Sequence, residues 1–261
     1  MVPKLLIDGD ILLYRCGFAV EKTKYLVERQ REFVEAASAK EADSLGGVVW
    51  SRKELEPVEN ALHLIDSVIS KIQDKYPKLE RQIFLSPSVG NFRETIAVTH
   101  KYKGNRDAMQ KPKYFREIKD YLMGKYGAVV AVGQEADDEL GIGATLFPDS
   151  VMVSIDKDLR QVPGLHYDWV KEEEINVTKK EGNLSFYSQV LSGDPTDNIH
   201  GLPGIGPVKG RKMLADCASS RDCWQVVLDA YRAQEGEHRA LENARLCWIR
   251  REPNEMWKPP V

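Results

Sequence analysis

The chain has 261 residues, of which 42% are hydrophobic and 30% are charged. This length and apolar content suit one α/β domain, or one such domain with an appended lobe. The formal net charge of −3 excludes a globally basic protein, so any nucleic-acid contact must come from local basic surfaces. The four cysteines lack Cys-x-x-Cys spacing and no apolar run is as long as a membrane span, so we predict a cytoplasmic protein.

The distribution of apolar residues predicts alternating strands and helices in the first part of the chain. A short apolar run at residues 4–8 predicts the first strand, and a helix is predicted at residues 11–20. Residues 21–56 are highly charged and rich in helix formers at their start, which predicts a solvated helical insertion. Apolar residues at helical spacing over residues 57–76 predict a helix that faces the core.

The later pattern continues this alternation and then becomes all-helical. Further strands are predicted at residues 83–85, 96–98, 129–132, 151–155 and 166–170. Further helices are predicted at residues 111–126, 135–147, 184–192, 208–214, 224–232 and 238–249. Alternation of this kind predicts an α/β fold with a mostly parallel, wound sheet, followed by a C-terminal helical lobe.

Four short acidic clusters are the main functional signal. The first three follow strand-like runs, and the fourth closes a predicted helix. Because parallel strands gather their carboxyl ends at one sheet edge, these carboxylates are expected to converge there. They would repel one another unless cations neutralised them, and all-oxygen ligands favour Mg²⁺ or Mn²⁺. The acids are Asp8, Asp10, Glu135, Asp137, Asp138, Asp156, Asp158, Asp194 and Asp197.

The spacing within the clusters indicates which carboxylates act together. Asp156 and Asp158 alternate at the end of a strand and are expected on one face. Asp194 and Asp197, three residues apart, are expected on one face of a helical turn. Acidic residues also cap helix N-termini, an alternative that explains one cluster but not four. Two cations about 4 Å apart can clamp the attacking and leaving oxygens of a phosphoryl displacement.

A glycine-rich turn follows the fourth cluster, at residues 201–210. Gly204 and Gly206 allow backbone N–H groups to approach a phosphate, and a predicted helix N-terminus follows them. The turn therefore predicts a helix–hairpin–helix grip on the backbone of a duplex. The basic residues assigned to this grip are Lys209, Arg211 and Lys212.

A basic segment precedes the second acidic cluster. A basic run by itself is typical of a solvated helix face. Here Tyr102 is interleaved with the charges, which predicts a base-stacking platform beside a phosphate-neutralising surface. The basic residues assigned to this segment are Lys101, Lys103, Arg106, Lys111 and Lys113.

In their order along the chain, these acidic, basic and glycine-rich motifs resemble those of the flap-endonuclease superfamily of 5′-nucleases. The match covers roughly residues 4–214, and the chain is most similar to the 5′→3′ exonucleases of short-tailed phages. The resemblance implies a core like that of PIN and flap-endonuclease folds over residues 1–193. It implies that this core carries the helical insertion 21–56 and a basic, arch-like segment 101–126. It further implies a helical, duplex-binding lobe with the helix–hairpin–helix over residues 194–261.

The resemblance also implies a role for each candidate residue. Lys103 and Arg106 would neutralise the scissile phosphate, and Tyr102 would stack near the terminal nucleotide. Ser86 departs from the pattern, since many relatives carry an aspartate at this position. The first metal would be held by Asp8, Glu135 and Asp137. The second would be held or supported by Asp156, Asp158, Asp194 and Asp197, with Asp138 in a supporting role.

The implied activity is 5′→3′ exonuclease hydrolysis of duplex DNA with two Mg²⁺ ions, for which Mn²⁺ substitutes. Flap cleavage and removal of RNA primers from RNA–DNA hybrids are further implied activities, and K⁺ is implied at the glycine hairpin. The substrates would be double-stranded DNA with 5′ ends, nicks or flaps. The protein would act as a monomer in the cytoplasm, which for a phage protein is the cytoplasm of the host, and it would have no membrane partner.

Two alternatives stay open. A PIN-type endoribonuclease shares the acidic core but is disfavoured by the hairpin. A non-catalytic, structure-specific DNA-binding module is disfavoured by the retained carboxylates, because negative charge near DNA weakens binding.

Overall fold

The computed structural model describes residues 1–29, 32–108 and 110–261. Gln30 and Arg31 of the predicted insertion lie outside the described residues, as does Met109 of the predicted arch-like segment. The described chain forms two compact units. The first contains Met1–Ile11, Ile72–Gln110 and Tyr126–Val261, and the second contains Leu12–Lys71 and Lys111–Lys125. No helix in these described ranges is both long enough and apolar enough to span a membrane.

The elements are numbered in chain order. The strands are β1 (Lys4–Asp8), β2 (Glu21–Arg29), β3 (Glu32–Ala36), β4 (Val48–Leu55), β5 (Glu80–Leu85), β6 (Val129–Val130), β7 (Val151–Val153), β8 (Gly164–Asp168), β9 (Glu173–Val177), β10 (Gly193–Asp194) and β11 (Ile199–His200). The helices are α1 (Gly9–Ala19), α2 (Ala39–Leu45), α3 (Val58–Lys75), α4 (Phe92–Ile96), α5 (Phe115–Tyr126), α6 (Ala136–Leu146), α7 (Lys179–Ser192), α8 (Pro207–Met213), α9 (Ser220–Arg232) and α10 (Glu237–Cys247).

A six-stranded sheet with the order β6-β5-β1-β7-β8-β9 lies within the described part of the first unit. The strands from β6 to β8 pair in parallel, and β9 pairs with β8 in the antiparallel direction. Leu5, Leu6 and Ile7 are buried, as expected for a central parallel strand covered on both faces. The predicted α/β fold with a mostly parallel sheet is therefore confirmed.

One predicted strand of this region is wrong. Residues 96–98 were predicted to form a strand, but the chain after β5 forms α4 instead. The side chain of Asn91 accepts from the backbone N–H of Arg93 over 3.0 Å and caps this short helix. An asparagine cap satisfies a donor that a helix start leaves free, so the local sequence favours a turn of helix here.

The C-terminal helices belong to the first unit, and the division at residue 193 is not observed as a boundary between compact units. The reason is a shared aromatic core. Phe186 of α7, Tyr231 of α9 and Trp257 of the C-terminal tail are all buried in the same apolar cluster. Burial of such large side chains stabilises the packed state strongly, so these helices pack against α7, which precedes residue 193, rather than forming a separate lobe.

The prediction of a helical insertion at residues 21–56 is wrong. The second unit instead contains, within its described residues, the antiparallel sheet β3-β2-β4 and the short helix α2. Val27 pairs with Val34 on one side and Val49 on the other, and it is buried against Ala42 of α2. Alternating apolar and charged residues in three paired strands thus override the helix propensity of the charged positions.

Candidate active site

The carboxyl ends of neighbouring parallel strands form the edge at which the site lies. β1 ends at Asp8, β5 is followed by Ser86, and β7 is followed by Ser154. The hydroxyl of Ser154 donates to Asp8 Oδ2 over 2.7 Å, and the backbone N–H of Ile11 donates to Asp8 Oδ1 over 3.2 Å. These bonds hold the Asp8 carboxylate at the edge where ligands of such sheets bind.

Burial and neighbouring negative charge disfavour ionisation at this edge. Burial raises the pKa of Asp8 to about 7, and the charges of Asp10 and Asp156 contribute to the increase. Asp137 lies in the first turn of α6, where burial, Asp8 and Asp156 raise its pKa well above the ordinary value. Asp8, Asp137 and Asp156 therefore form one acidic group that a cation would stabilise.

Asp158 and Asp194 add two further carboxylates beside Asp156. Burial raises the pKa of Asp158 to about 7, with further contributions from Asp156 and Asp194. Asp156 and Asp158 do not alternate at a strand end as predicted, because β7 already ends at Val153. Asp156 lies in the following loop, and its Oδ1 accepts the backbone N–H of Asp158 over 2.9 Å. This local hydrogen bond, rather than strand geometry, brings the pair together.

Asp194 and Asp197 flank one 3-10 turn but have different partners. Asp194 Oδ1 accepts the backbone N–H of Thr196 over 2.8 Å and so caps the turn. Asp197 instead accepts from the guanidinium of Arg106 and from the hydroxyl of Tyr102, the latter over 2.7 Å. The predicted shared face therefore divides, with Asp194 beside the acidic residues and Asp197 beside cationic ones.

The donor set fits a hard divalent cation by its chemistry. It consists of carboxylate oxygens, and the raised pKa values of Asp8, Asp137 and Asp158 mean that their charges lack compensation. Across the described ranges, no three or more Asp, Glu, His or Cys side chains are gathered into a ready metal site. Coordination would therefore require these side chains to turn toward the ion.

Two cationic side chains lie beside Glu135 and Asp197. The ammonium group of Lys103 pairs with Glu135 and lies 3.7 Å from Asp197, with which Arg106 also pairs. Burial opposes ionisation of Glu135, but the charges of Lys103 and Arg93 hold its pKa below the ordinary value. Two carboxylates that were predicted to bind metal thus serve here as counter-ions of the two predicted phosphate-binding residues.

The backbone holds this cationic group in place. Lys103 has a φ of 54°, in the left-handed region, and its N–H donates to the carbonyl of Asp197 over 2.8 Å. Asn198 has a φ of 59°, and its side-chain amide donates to the carbonyl of Lys101 over 2.9 Å. Residues held in this region cost about 1–3 kcal/mol each, a cost often found at functional sites.

Tyr102 is buried, with 6% of its surface exposed, so its ring does not present the exposed stacking surface that was predicted. Its ring packs in the apolar cluster of the C-terminal helices. Its hydroxyl lies 2.9 Å from Glu135 Oε2 and 2.7 Å from Asp197 Oδ2. Burial of the ring is favourable when the hydroxyl keeps a polar partner, and here the phenol orients the two carboxylates that pair with Lys103 and Arg106.

Asp138 pairs with a buried arginine. It is fully buried, and its oxygens accept from Arg93 Nη1 over 2.6 Å and from Arg93 Nη2 over 2.9 Å. Burial opposes its ionisation, but the charge of Arg93 and these bonds lower its pKa. Its side chain also accepts the backbone N–H of Glu135, which it caps at the start of α6. Asp138 therefore organises the site through its pair with Arg93 and through the helix cap.

Sequence reasoning missed Arg93 and the contact between Asp10 and Ser86. The backbone N–H of Ser86 lies 3.1 Å and 3.2 Å from the two oxygens of Asp10, so Asp10 supplies a carboxylate at the position where Ser86 lacks one. The pattern Asp8-x-Asp10 was a usable signal for this. Arg93 carried no signal, because its partner Asp138 lies 45 residues away in sequence.

The hairpin joins α7 and α8 through residues 193–206. Gly204 has a φ of +73°, and a Cβ at Gly204 or Gly206 would meet no atom within 4 Å, so open space lies above both. Gly206 is the N-cap of α8, and the ammonium group of Lys209 donates to the carbonyl of Gly204 over 3.1 Å. Arg211 and Lys212 lie exposed in the last turn of α8.

The remaining predicted basic residues separate by unit. Lys101 lies in the first unit and is exposed. Lys111 and Lys113 belong to the second unit, where the Lys111 ammonium lies 4.5 Å from the centre of the Phe115 ring. A groove of about 650 Å³ lies beside Asp158 and Asp194 in the first unit. Among its lining residues are Lys157, Arg160, Ser188, Gln189 and Arg211.

Fold and site together define a class. A wound, mostly parallel sheet with an acidic carboxyl edge, a Tyr-Lys-x-x-Arg segment and a glycine hairpin is similar to the flap-endonuclease superfamily of 5′-nucleases. Comparison with solved structures and curated proteins confirms the predicted resemblance.

Among the solved structures that resemble the chain are several from phage T5. A mutant of T5 5′-exonuclease matches over 95% of this chain and 88% of its own, with a TM-score of 0.58 and 15% identity. The T5 flap endonuclease, solved as a pseudo-enzyme-product complex with DNA and metal ions, matches over 70% of this chain and 79% of its own. Its TM-score is 0.56 and its identity 18%. At these identities the likeness establishes the fold.

Two curated proteins are similar in sequence. The exodeoxyribonuclease of Enterobacteria phage T3 is 29% identical over 124 residues, which are 44% of this chain and 41% of that protein. DNA polymerase I of Rhizobium leguminosarum is 36% identical over 97 residues, which are 32% of this chain and 10% of that protein. The match thus spans less than half the length of either relative. No family model matches the chain.

Proposed function

We propose that this protein is a divalent-metal-dependent 5′→3′ exodeoxyribonuclease that also cleaves flaps. The observation that carries the proposal is an acidic group of Asp8, Asp137 and Asp156, next to Glu135, whose carboxylate pairs with the cationic Lys103. Carboxylates of this kind bind hard cations, whereas Lys103 and Arg106 provide positive charge for a phosphate. The chain's similarity to an exodeoxyribonuclease of phage T3 and to a flap endonuclease of phage T5 supports the same activity.

The acidic residues would hold two Mg²⁺ ions, for which Mn²⁺ would substitute. When bound, such ions activate water for attack on the phosphodiester and stabilise the leaving 3′ oxygen. The ligands would be Asp8 and Asp137 for the first ion, and Asp156, Asp158 and Asp194 for the second.

Lys103 would act by exchanging partners. Its ammonium group pairs with Glu135. A scissile phosphate would compete for Lys103 and for Arg106, which now pairs with Asp197. Transfer of Lys103 to the phosphate would free the Glu135 carboxylate for the first ion, so substrate binding and completion of the metal site would be coupled.

The glycine hairpin would hold the duplex beside the site. The open space above Gly204 and Gly206 would admit a phosphate to the backbone, with Lys209, Arg211 and Lys212 around it. K⁺ at this hairpin, action on RNA–DNA hybrids, a monomeric state and a cytoplasmic location remain predictions.

Labelled substrates test the proposal directly. Duplex, flap and RNA–DNA hybrid, each labelled at either the 5′ or the 3′ end, are incubated with the protein and Mg²⁺. We expect short products from the 5′ label, progressively shortened strands from the 3′ label, and no cleavage when EDTA removes the ions. Preferential cutting of single-stranded RNA would favour the PIN-type endoribonuclease, and binding without cutting would favour the DNA-binding module.

A further inference from the structure

Two stacked histidines lie on the surface near the cationic group. The ring centroids of His100 and His200 are 3.9 Å apart, their planes differ by 17°, and both residues are exposed. His100 precedes the segment of Lys103, and His200 follows the turn of Asp197 to which the N–H of Lys103 is bonded. We propose that this histidine pair is a stacking platform for an unpaired nucleobase of the strand bound at Lys103 and Arg106. The inference rests on the proposed nuclease function.

Side chains of α10 fix both histidines. Glu242 Oε1 accepts two consecutive backbone N–H groups just before His100, each over 2.8 Å. Asn243 and Arg239 donate to the carbonyl of His200, over 2.7 Å and 3.2 Å. Arg239 also pairs with Glu242 over 3.0 Å, which links the two anchors. Because this network is largely buried and joined by hydrogen bonds, it fixes the backbone that carries the two stacked rings.

The geometry of the rings favours a flat ligand over a metal ion. Nearly parallel imidazoles cannot direct their nitrogen lone pairs at one cation, and His200 Nε2 already lies 3.2 Å from Asn198 Oδ1. An exposed imidazole face instead matches the π surface of a base, and histidine is among the side chains on which unpaired bases stack. Since Tyr102 is buried, the histidine pair supplies an exposed aromatic surface beside Lys101 and Lys103.

Binding measurements without divalent cation test the platform while the strand stays intact. Flap substrates carry an abasic site at each successive position of the unpaired strand, and the Kd is measured for each. We expect one or two positions at which the abasic site weakens wild-type binding by about tenfold, the loss of one stacked base. The double variant His100→Ala/His200→Ala should bind the intact flap about tenfold more weakly and lose sensitivity at those positions.

Two further variants separate stacking from other roles. His100→Phe keeps an aromatic face without a charge and should retain the abasic sensitivity. His238→Ala removes another exposed histidine of α10 and should behave as wild type. Thermal unfolding of each variant without DNA establishes that the fold is intact.

The outcomes are distinguishable. If the double variant weakens intact and abasic flaps equally, the histidines contact phosphate and the platform is refuted. Zn²⁺ binding that depends on both histidines, with unchanged abasic sensitivity, would also refute it in favour of a metal site. Failure of the wild-type protein to cut any flap with Mg²⁺ refutes the nuclease function itself. Cutting without any abasic-sensitive position refutes only the platform.

Discussion

The carboxylates of the site differ in whether a protein cation lies beside them. Asp8 and Asp137 have raised pKa values because burial and neighbouring acids oppose their ionisation. Glu135 and Asp138 are equally enclosed, yet the charges of lysine and arginine lower their pKa values. Residues of the first kind need an external cation at neutral pH, whereas those of the second kind are satisfied within the protein.

Replacing both Asp156 and Asp158 with asparagine should abolish most cleavage. The exchange keeps the shape of each side chain but removes the charge that would hold the second ion. We expect the cleavage rate to fall by at least about 10³-fold, while DNA binding is kept or strengthened as repulsion decreases. Rates and Kd values are measured on the same labelled duplex. Asp149→Asn, an exposed acid elsewhere, is the matched control, and near-wild-type cutting by the double variant would refute the assignment.

Asp138→Asn should instead destabilise the fold. It leaves the buried guanidinium of Arg93 without its bidentate partner, a loss of about 3–5 kcal/mol in unfolding free energy. Asp158→Asn, which relieves repulsion, should be neutral or stabilising in the absence of metal. Urea denaturation of both variants in EDTA checks the contrast. Equal stability of Asp138→Asn and wild type would mean that the ion pair does not organise the site.

For individual residues, the sequence was sufficient to predict site side chains that directly follow the end of an apolar strand. Asp8 was found because an apolar strand leads directly to it. The burial of Tyr102 could not be found, since the core that encloses its ring comes from distant helices. The role of Asp138 depends on Arg93, and no local pattern indicates a pair formed between separate elements.

At the scale of elements, apolar continuity was the reliable signal. β7, with three consecutive buried apolar residues, was predicted from such a run, and α3 was predicted from helical spacing. The strands β2 and β4 were missed because charged residues alternate with Tyr25, Val27 and Val49. These strands pair with each other across the residues between them, which satisfies their backbone hydrogen-bonding groups. The helix or strand propensity of single residues does not reveal such pairing.

The hairpin and the cationic group should contribute to different steps. Lys103→Ala removes charge beside the reacting phosphate and should lower kcat by about 10²-fold or more, with a smaller change in Kd. Lys209→Ala on α8 should leave kcat near wild type and weaken binding. It should also reduce the slope of log Kd against log salt by about 1, the change expected for the loss of one phosphate contact. Single-turnover rates and salt titrations measure both. A Lys103→Ala variant altered only in affinity would place this lysine away from the reacting phosphate.

At the scale of the whole molecule, the aromatic core joins the site to the C-terminal helices. Tyr102, whose hydroxyl contacts Glu135 and Asp197, lies in the same cluster as Phe186 and Trp257. The cationic group is therefore supported by packing rather than by a flexible loop. This support fixes the position of the two carboxylates with which Lys103 interacts.

The stability of the metal-free protein should depend on pH because of the acidic group. Asp8 has a folded pKa of about 7 against an ordinary value of 3.8, so the folded state binds more protons between these values. The stabilisation, at most about 4 kcal/mol for Asp8, is complete below about pH 4 and is lost as the pH rises through 7.

Thermal unfolding in EDTA should accordingly show a Tm that falls between pH 5 and pH 8. Asp158, whose pKa is also raised to about 7, contributes with the same sign, so Asp158→Asn should make the fall shallower. Mg²⁺ at pH 8 should raise the Tm, because it binds the folded state. A Tm that is constant across this range in EDTA would contradict the predicted protonation of these carboxylates.

The requirement for a 5′ end tests the central claim most directly. The duplex held at the hairpin would present a strand terminus to Lys103 and Arg106, so an uninterrupted duplex would be poorly placed for cleavage. A relaxed, covalently closed circle and the same circle with a single nick are incubated with the protein and Mg²⁺, and the loss of each is followed on a gel. We predict that the nicked circle is degraded from its 5′ end while the closed circle resists. Equal degradation of the two circles would contradict the account.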